Sequence, residues 1–143
     1  MPDTDFDAFA QASDTLFATV RSTRGRIAAA EGLSSSQARL MEPLADHAPV
    51  PVGRLATLAG VAVPTATRML QGLERRGMVA RRRAAHSERV VEIDLTDTGR
   101  AALDHEQRRL RERQRRTYDS LTRRERALAL SLMAKLTDLA GDL

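Results

Sequence analysis

Between Pro64 and Val91 the chain carries Arg68, Arg75, Arg76, Arg81, Arg82, Arg83 and Arg89, opposed by Glu74 and Glu88 alone. That segment is net +5 while the whole 143-residue chain is +4, so everything outside it is slightly acidic. Guanidinium groups make paired hydrogen bonds to phosphate oxygens and to guanine edges. A cationic excess on one helix and its neighbouring loop is the electrostatic footprint of a phosphate-binding surface. The plainer alternative, a surface helix and hairpin whose arginines only confer solubility, leaves this concentration unexplained. Lys135 is the sole lysine, but so lopsided a ratio follows equally from genomic base composition and carries little weight.

Other chemistries find little support. His47, His86 and His105 are scattered, with no HxxxH or carboxylate spacing that builds a metal site. His47 falls at a helix end, where an imidazolium is mildly favoured; His86 falls in the loop between two strands and His105 on an exposed helix. No nucleophile elbow, phosphate-cradling glycine loop or dinucleotide fingerprint is present. Asp3, Asp5 and Asp7 read as a solvated run rather than an acid–base pair. Without cysteine there is no disulfide, thiolate metal site or thiol switch. The expectation is a non-enzyme with no cofactor and no metal.

The elements that must position the arginines begin at Pro64, whose fixed φ and missing N–H suit the first turn of a helix. Ala66, Met69, Leu70 and Leu73 recur at three and four residues and share one buried face. Thr65, Arg68 and Arg75 fall on another face, with Thr67 and Gln71 beside them. Gly77 accepts the left-handed conformation of a helix C-cap. VARRR and VVEIDL then read as two strands, joined by AAHSER, which is too long for a two-residue hairpin. A shorter helix, Val52 to Ala59, closes at Gly60 just upstream. Two short helices joined by a glycine-containing turn, the second presenting polar residues, form the helix-turn-helix plan, here followed by a β-wing.

Outside this region the pattern is helical. Phe6, Phe9, Ala10, Ser13, Leu16, Phe17, Val20 and Ile27 keep helical spacing over roughly residues 4 to 31, closing at Gly32. Three of the four aromatic residues lie there; packing against a second subunit is the better use for them, with burial in the same chain as the alternative. Ser34 to Gln37 matches a capping box, and the helix that follows turns Ala38, Leu40, Met41, Leu44 and Ala45 inward. Pro43 lies inside it and predicts a bend or an early end. His47 to Pro51 reads as a turn or short extended link. Thr96 caps another helix, whose stretch HEQRRLRERQRRTYDSL reads as a solvated connector with Glu–Arg pairing in preference to a second DNA patch. Thr122 to Glu125 is a second capping box. The last helix carries Ala129, Leu132, Met133, Leu136, Leu139, Ala140 and Leu143, a broad stripe complementary in kind to the first helix. No apolar run approaches the ~20 residues that span a bilayer, and the acidic N-terminus lacks the marks of a secretory signal, so a cytoplasmic protein with no membrane partner is expected.

Taken in order, Leu55-Ala56, Thr65-Ala66-Thr67-Arg68, Leu73-Glu74-Arg75-Arg76-Gly77-Met78-Val79, Arg81, Arg89 and Leu95-Thr96-Asp97-Thr98-Gly99-Arg100 resemble the MarR family of bacterial transcriptional regulators. The resemblance covers roughly residues 33 to 103. It implies a mainly α fold with a small β-wing, in which residues 33–96 form a winged helix-turn-helix lobe. Residues 1–32 and 97–143 become dimerisation helices of a single 143-residue domain, with Phe6, Phe9, Leu16, Leu132, Leu136 and Leu139 at the interface. The implied function is a homodimeric, ligand-responsive repressor on a pseudo-palindromic site in double-stranded DNA. A protein–protein adaptor and a non-specific architectural DNA-binding protein are the rivals. By position, Thr65, Thr67, Arg68, Gln71 and Arg75 would lie in or beside the major groove, and Arg89 would be the wing-tip arginine of the minor groove. Arg81 and His86 join that DNA-facing set. By analogy, Phe17, Val20, Leu40 and Leu44 would line a pocket for a small-molecule effector of unknown identity. Three positions depart from the family pattern. Ser87 stands where an acidic residue usually steadies the wing arginine, leaving Glu88 or Glu92 as substitutes. Ala62 replaces a capping Ser, and Gly72 sits inside the recognition helix.

Overall fold

A computed structural model describes residues 4–25 and 32–141. The expected continuation of the first helix over 26–31, including Ile27, lies outside the described residues, as do Asp3 and Leu143. The chain runs α1 (Thr4–Gly25), α2 (Ser35–His47), β1 (Val50–Pro51), α3 (Val52–Ala59), α4 (Val63–Arg75), β2 (Val79–Ala84), β3 (Ser87–Leu95), α5 (Asp97–Ser120) and α6 (Arg123–Gly141). Two compact units divide it: residues 27–109, and residues 1–26 with 110–143.

The first unit is a helical lobe with a three-stranded sheet of order β1-β3-β2, both pairings antiparallel. Its core is built from Leu40, Met41, Leu44, Leu55, Leu70, Leu73, Ile93 and Leu103, all essentially inaccessible. The capping box at the start of α2 is complete. Gln37 N–H donates to Ser34 Oγ at 3.1 Å, and Ser34 N–H donates to Gln37 Oε1 at 2.9 Å. Ser34→Ala should lower stability by ~1 kcal/mol, read as a shift of the denaturant midpoint at unchanged slope; an unmoved midpoint would show that the cap is redundant.

Pro43 neither ends α2 early nor prevents it from reaching His47. Proline inside a helix costs ~3 kcal/mol, whereas burying Leu40, Met41 and Leu44 gains roughly 1.5–3 kcal/mol each. The packing wins. Of the two readings of the link before α3, the short extended one holds, because Val50 and Pro51 pair with Ile93 and Glu92 as a short edge strand, a place where a proline is tolerated. The hairpin differs too. Its turn is only Ala85-His86, and the ladder slips between Arg83↔Val91 and Ala84↔Ser87. The surplus residues of the loop read from the sequence are absorbed as an irregularity at Glu88, Arg89 and Val90.

Gly99 is buried where α5 starts, and a Cβ built on it would overlap the carbonyl of Met78. Thr96 holds that junction. Its hydroxyl donates toward Gly77 O (2.6 Å) and Met78 O (3.0 Å) and accepts from Gly99 N–H at 3.0 Å.

The second unit contains α1, the later part of α5, and α6. On α1 Ser13 is buried and Ala10 and Phe17 are half-buried, while Phe6, Phe9, Leu16 and Val20 are exposed. No described residue of α6 is buried. Leu128, Leu130, Leu132, Met133 and Leu139 face outward, and Leu136 is half-buried. The second capping box closes as read: Glu125 N–H donates to Thr122 Oγ1 at 3.2 Å and Thr122 N–H to Glu125 Oε2 at 2.7 Å. That backbone bond holds the Glu125 carboxyl below its ordinary pKa. Its contribution to the α6 start is present at neutral pH and is lost as pH falls through the depressed value. Among the described residues no helix is long and apolar enough to cross a membrane.

Candidate nucleic-acid interface

The helix-turn-helix is set by two backbone events. α3 ends at Gly60 in the left-handed conformation, φ +67°, with its N–H turned back to Ala56 and Thr57 carbonyls. Ala62 then takes an extended conformation ahead of α4 and makes no side-chain cap, so Pro64 in the first turn is the local start signal. Ala66, Leu70 and Leu73 are buried against the lobe, with Met69 half-buried. Thr65, Arg68, Gln71 and Arg75 emerge on the opposite face, all exposed, and Thr67 lies at its edge, half-buried.

Gly72 interrupts this helix without a packing reason. A Cβ there would meet nothing nearer than the Arg75 guanidinium at 4.0 Å. Gly72→Ala is therefore expected to stabilise the lobe by ~1 kcal/mol, measured by thermal melting. Destabilisation would reveal a contact absent from this geometry.

The seven arginines sort into two groups. Arg76 donates to Gly32 O at 2.9 Å, and Arg81 Nε to Glu74 Oε2 at 2.8 Å. Arg82 lies 3.8 Å from Glu92 and 3.6 Å from Asp94, and Arg83 donates to Glu88 O at 2.7 Å across the hairpin end. The side chains of Arg68, Arg75 and Arg89 make no hydrogen bond or ion pair among the described residues. Those three side chains have nothing in the lobe to give up on meeting an anion.

At the wing, Ser87 does part of the work expected of an acidic residue, though on the backbone: its Oγ accepts from Arg89 N–H at 3.3 Å. Neither candidate substitute pairs with the Arg89 side chain among the described residues: Glu92 faces Arg82, and Glu88 contributes its backbone carbonyl to Arg83. Arg81, Arg82, Arg83, Glu88, Arg89 and Val91 border an open concavity of about 580 Å³. His86 is exposed in the two-residue turn.

Arg81 is engaged by Glu74, a residue counted from the sequence only as an opposing charge. Leu40 and Leu44 are fully enclosed in the lobe core, where helical spacing alone cannot tell a core wall from a pocket wall. Phe17 and Val20 lie on α1, in the other unit. Among the described residues no cluster of histidine and carboxylate suits a metal ion.

The MarR family model matches residues 33–91, a span that takes in α2 to most of β3. Among solved structures, a MarR-family transcriptional regulator from Silicibacter pomeroyi is 30% identical, over 73% of this chain and 70% of that one, with a TM-score of 0.52. The transcriptional repressor CouR, bound to a 23-mer DNA duplex, is 29% identical over 73% of this chain and 75% of its own, with a TM-score of 0.62. Streptococcus pneumoniae FabT, in complex with DNA, shares the fold at 20% identity, 96% and 98% coverage and a TM-score of 0.72. No curated protein sequence matches. With its helix-turn-helix, its wing and a relative at this level of identity, the chain belongs to the MarR family of transcriptional regulators.

Proposed function

We propose that this chain is a sequence-specific DNA-binding repressor that acts as a homodimer on a pseudo-palindromic operator and responds to a small-molecule effector. The observation that carries the DNA reading is the α4 face of Thr65, Arg68, Gln71 and Arg75, on which both arginines lack an internal partner. Arginine and threonine or glutamine side chains in that arrangement read base edges in the major groove, while other cations set register on phosphates. Thr67 lies at the margin of the same face. Arg89 enters the minor groove from the wing, with His86 beside it. CouR and FabT, which share this fold, were both solved with DNA.

The dimer reading rests on apolar surface. Phe6, Phe9 and Leu16 on α1, with Leu132 and Leu139 on α6, are exposed in the single chain, and Leu136 is half-covered. Covering such a surface with a second copy recovers hydrophobic free energy at roughly 25 cal/mol per Å². Two recognition helices one DNA turn apart, ~34 Å, then demand a palindromic site. The effector response comes from membership of the family, and its mechanism would be a shift between lobe spacings that do and do not match successive grooves.

Selection from random duplexes at fixed salt, repeated with candidate effectors, tests the reading. A palindromic consensus and steep salt dependence are expected. Equal affinity for every duplex would point to architectural coating, and no affinity at all to an adaptor. Arg89→Ala should weaken binding to the selected duplex and shorten protection in the flanking minor groove. A footprint and affinity equal to the wild type would remove Arg89 from the interface.

A further inference from the structure

Glu74 is the one carboxylate on α4, and it sits in the last turn beside Arg75. On a surface that meets phosphates an isolated carboxylate is only a cost, since it repels the ligand. Here it accepts from Arg81 Nε at 2.8 Å, across the turn formed by Arg76, Gly77 and Met78. Arg81 is the third residue of β2, paired in register with Ile93 of β3. Its Nη2 is shut away from solvent, and the side chain is the more covered of the two, 29% accessible against 41% for Glu74. Nε is thus taken by Glu74 and Nη2 is out of a ligand's reach, which leaves only Nη1 for a phosphate. Arg68, Arg75 and Arg89 lack such partners.

We propose that Glu74 and Arg81 are a positioning pair that fixes the wing against the recognition helix, and that Arg81 is not itself a DNA contact. The proposal rests on the reading that α4 and the wing engage DNA together. The backbone already ties the turn at its base, where Met78 N–H donates to Leu73 O at 2.9 Å. The side-chain pair acts further out, from the last turn of the helix to the body of the strand. There it resists rotation of the hairpin, which a hydrogen bond at the hinge resists poorly. An interface that reads two grooves loses discrimination when the angle between its two readers is free. Non-specific attraction needs only the charge and is spared.

The test uses the duplex selected by the wild-type protein and a random duplex, each titrated over a salt series with wild type, Glu74→Gln, Arg81→Gln and the charge-swapped double variant Glu74→Arg/Arg81→Glu. Melting curves confirm that each is folded. Simple electrostatics predicts that Glu74→Gln, which removes a negative charge, tightens binding to both duplexes. The positioning pair predicts the opposite for the selected one: its preference over random DNA falls about tenfold, comparable to one mismatched base pair, while random-duplex affinity holds or rises. Arg81→Gln should lose preference similarly, with the slope of log affinity against log salt unchanged, and the swapped pair should regain most of it. A slope reduced by about 0.9 in Arg81→Gln would make Arg81 a phosphate contact and overturn the proposal. So would tighter or equal binding of the selected duplex by Glu74→Gln. A wild type with no preference among duplexes fails differently, at the DNA-binding reading itself, and takes the proposal with it.

Discussion

Gly99→Ala is expected to cost about 3–5 kcal/mol, at the far end of what one methyl group does to a protein. The added carbon would overlap the Met78 carbonyl and press on Leu95 Cδ1 at 3.0 Å. Flexible side chains such as Leu95 accommodate overpacking at modest cost, but here the nearest obstacle is the backbone of Met78. Relief requires the start of α5 to move away from the start of β2, which breaks the Thr96 bonds to Gly77 and Met78 and the Gly99 N–H bond to Thr96. Against a total stability of ~5–15 kcal/mol, the melting temperature should drop by about 10 °C or more. Equilibrium denaturation followed by circular dichroism measures it. A midpoint within experimental error of the wild type would mean that α5 slides freely on the sheet, and the junction described here would be wrong. Gly72→Ala is the internal contrast: the same substitution with the opposite expected sign, because nothing surrounds that Cβ position.

Arg68→Ala should weaken binding to the selected duplex by ~1–3 kcal/mol, roughly 5- to 150-fold, while leaving melting temperature and oligomeric state unchanged. Arg68 is exposed and gives up no internal bond, so its loss removes no native contact, and alanine is the better helix former. The effect therefore appears only in the complex. If Arg68 reads a base, discrimination is lost at one position of the site and elsewhere retained. A uniform loss across all sequences would place Arg68 on a phosphate instead, and an unaltered affinity would remove it from the interface altogether.

Much of this molecule is legible in its order of residues, wherever the physics is local. Ser34 with Gln37 and Thr122 with Glu125 announce helix starts because a hydroxyl and an amide or carboxylate three residues apart satisfy each other's backbone. Gly60 and Gly77 mark helix ends because both adopt positive φ, +67° and +69°. The split of α4 into a buried and a polar face follows from 3.6 residues per turn and needs no partner. What the tertiary structure alone decided is set by residues distant along the chain. Pro43 stays helical because Leu40, Met41 and Leu44 are packed from outside the helix. Val50 and Pro51 become a strand because Ile93 and Glu92 arrive beside them. Seven arginines that look equivalent in one dimension divide into three whose side chains lack partners and four already engaged, since a guanidinium's availability depends on which acceptor the fold brings within about 4 Å. Glu74, a mere counter-charge in the sequence, acquires Arg81 by that route, and Gly99 acquires the Met78 carbonyl that forbids any larger residue. Spacing along the chain specifies which face a side chain occupies; only the folded backbone specifies what it meets there.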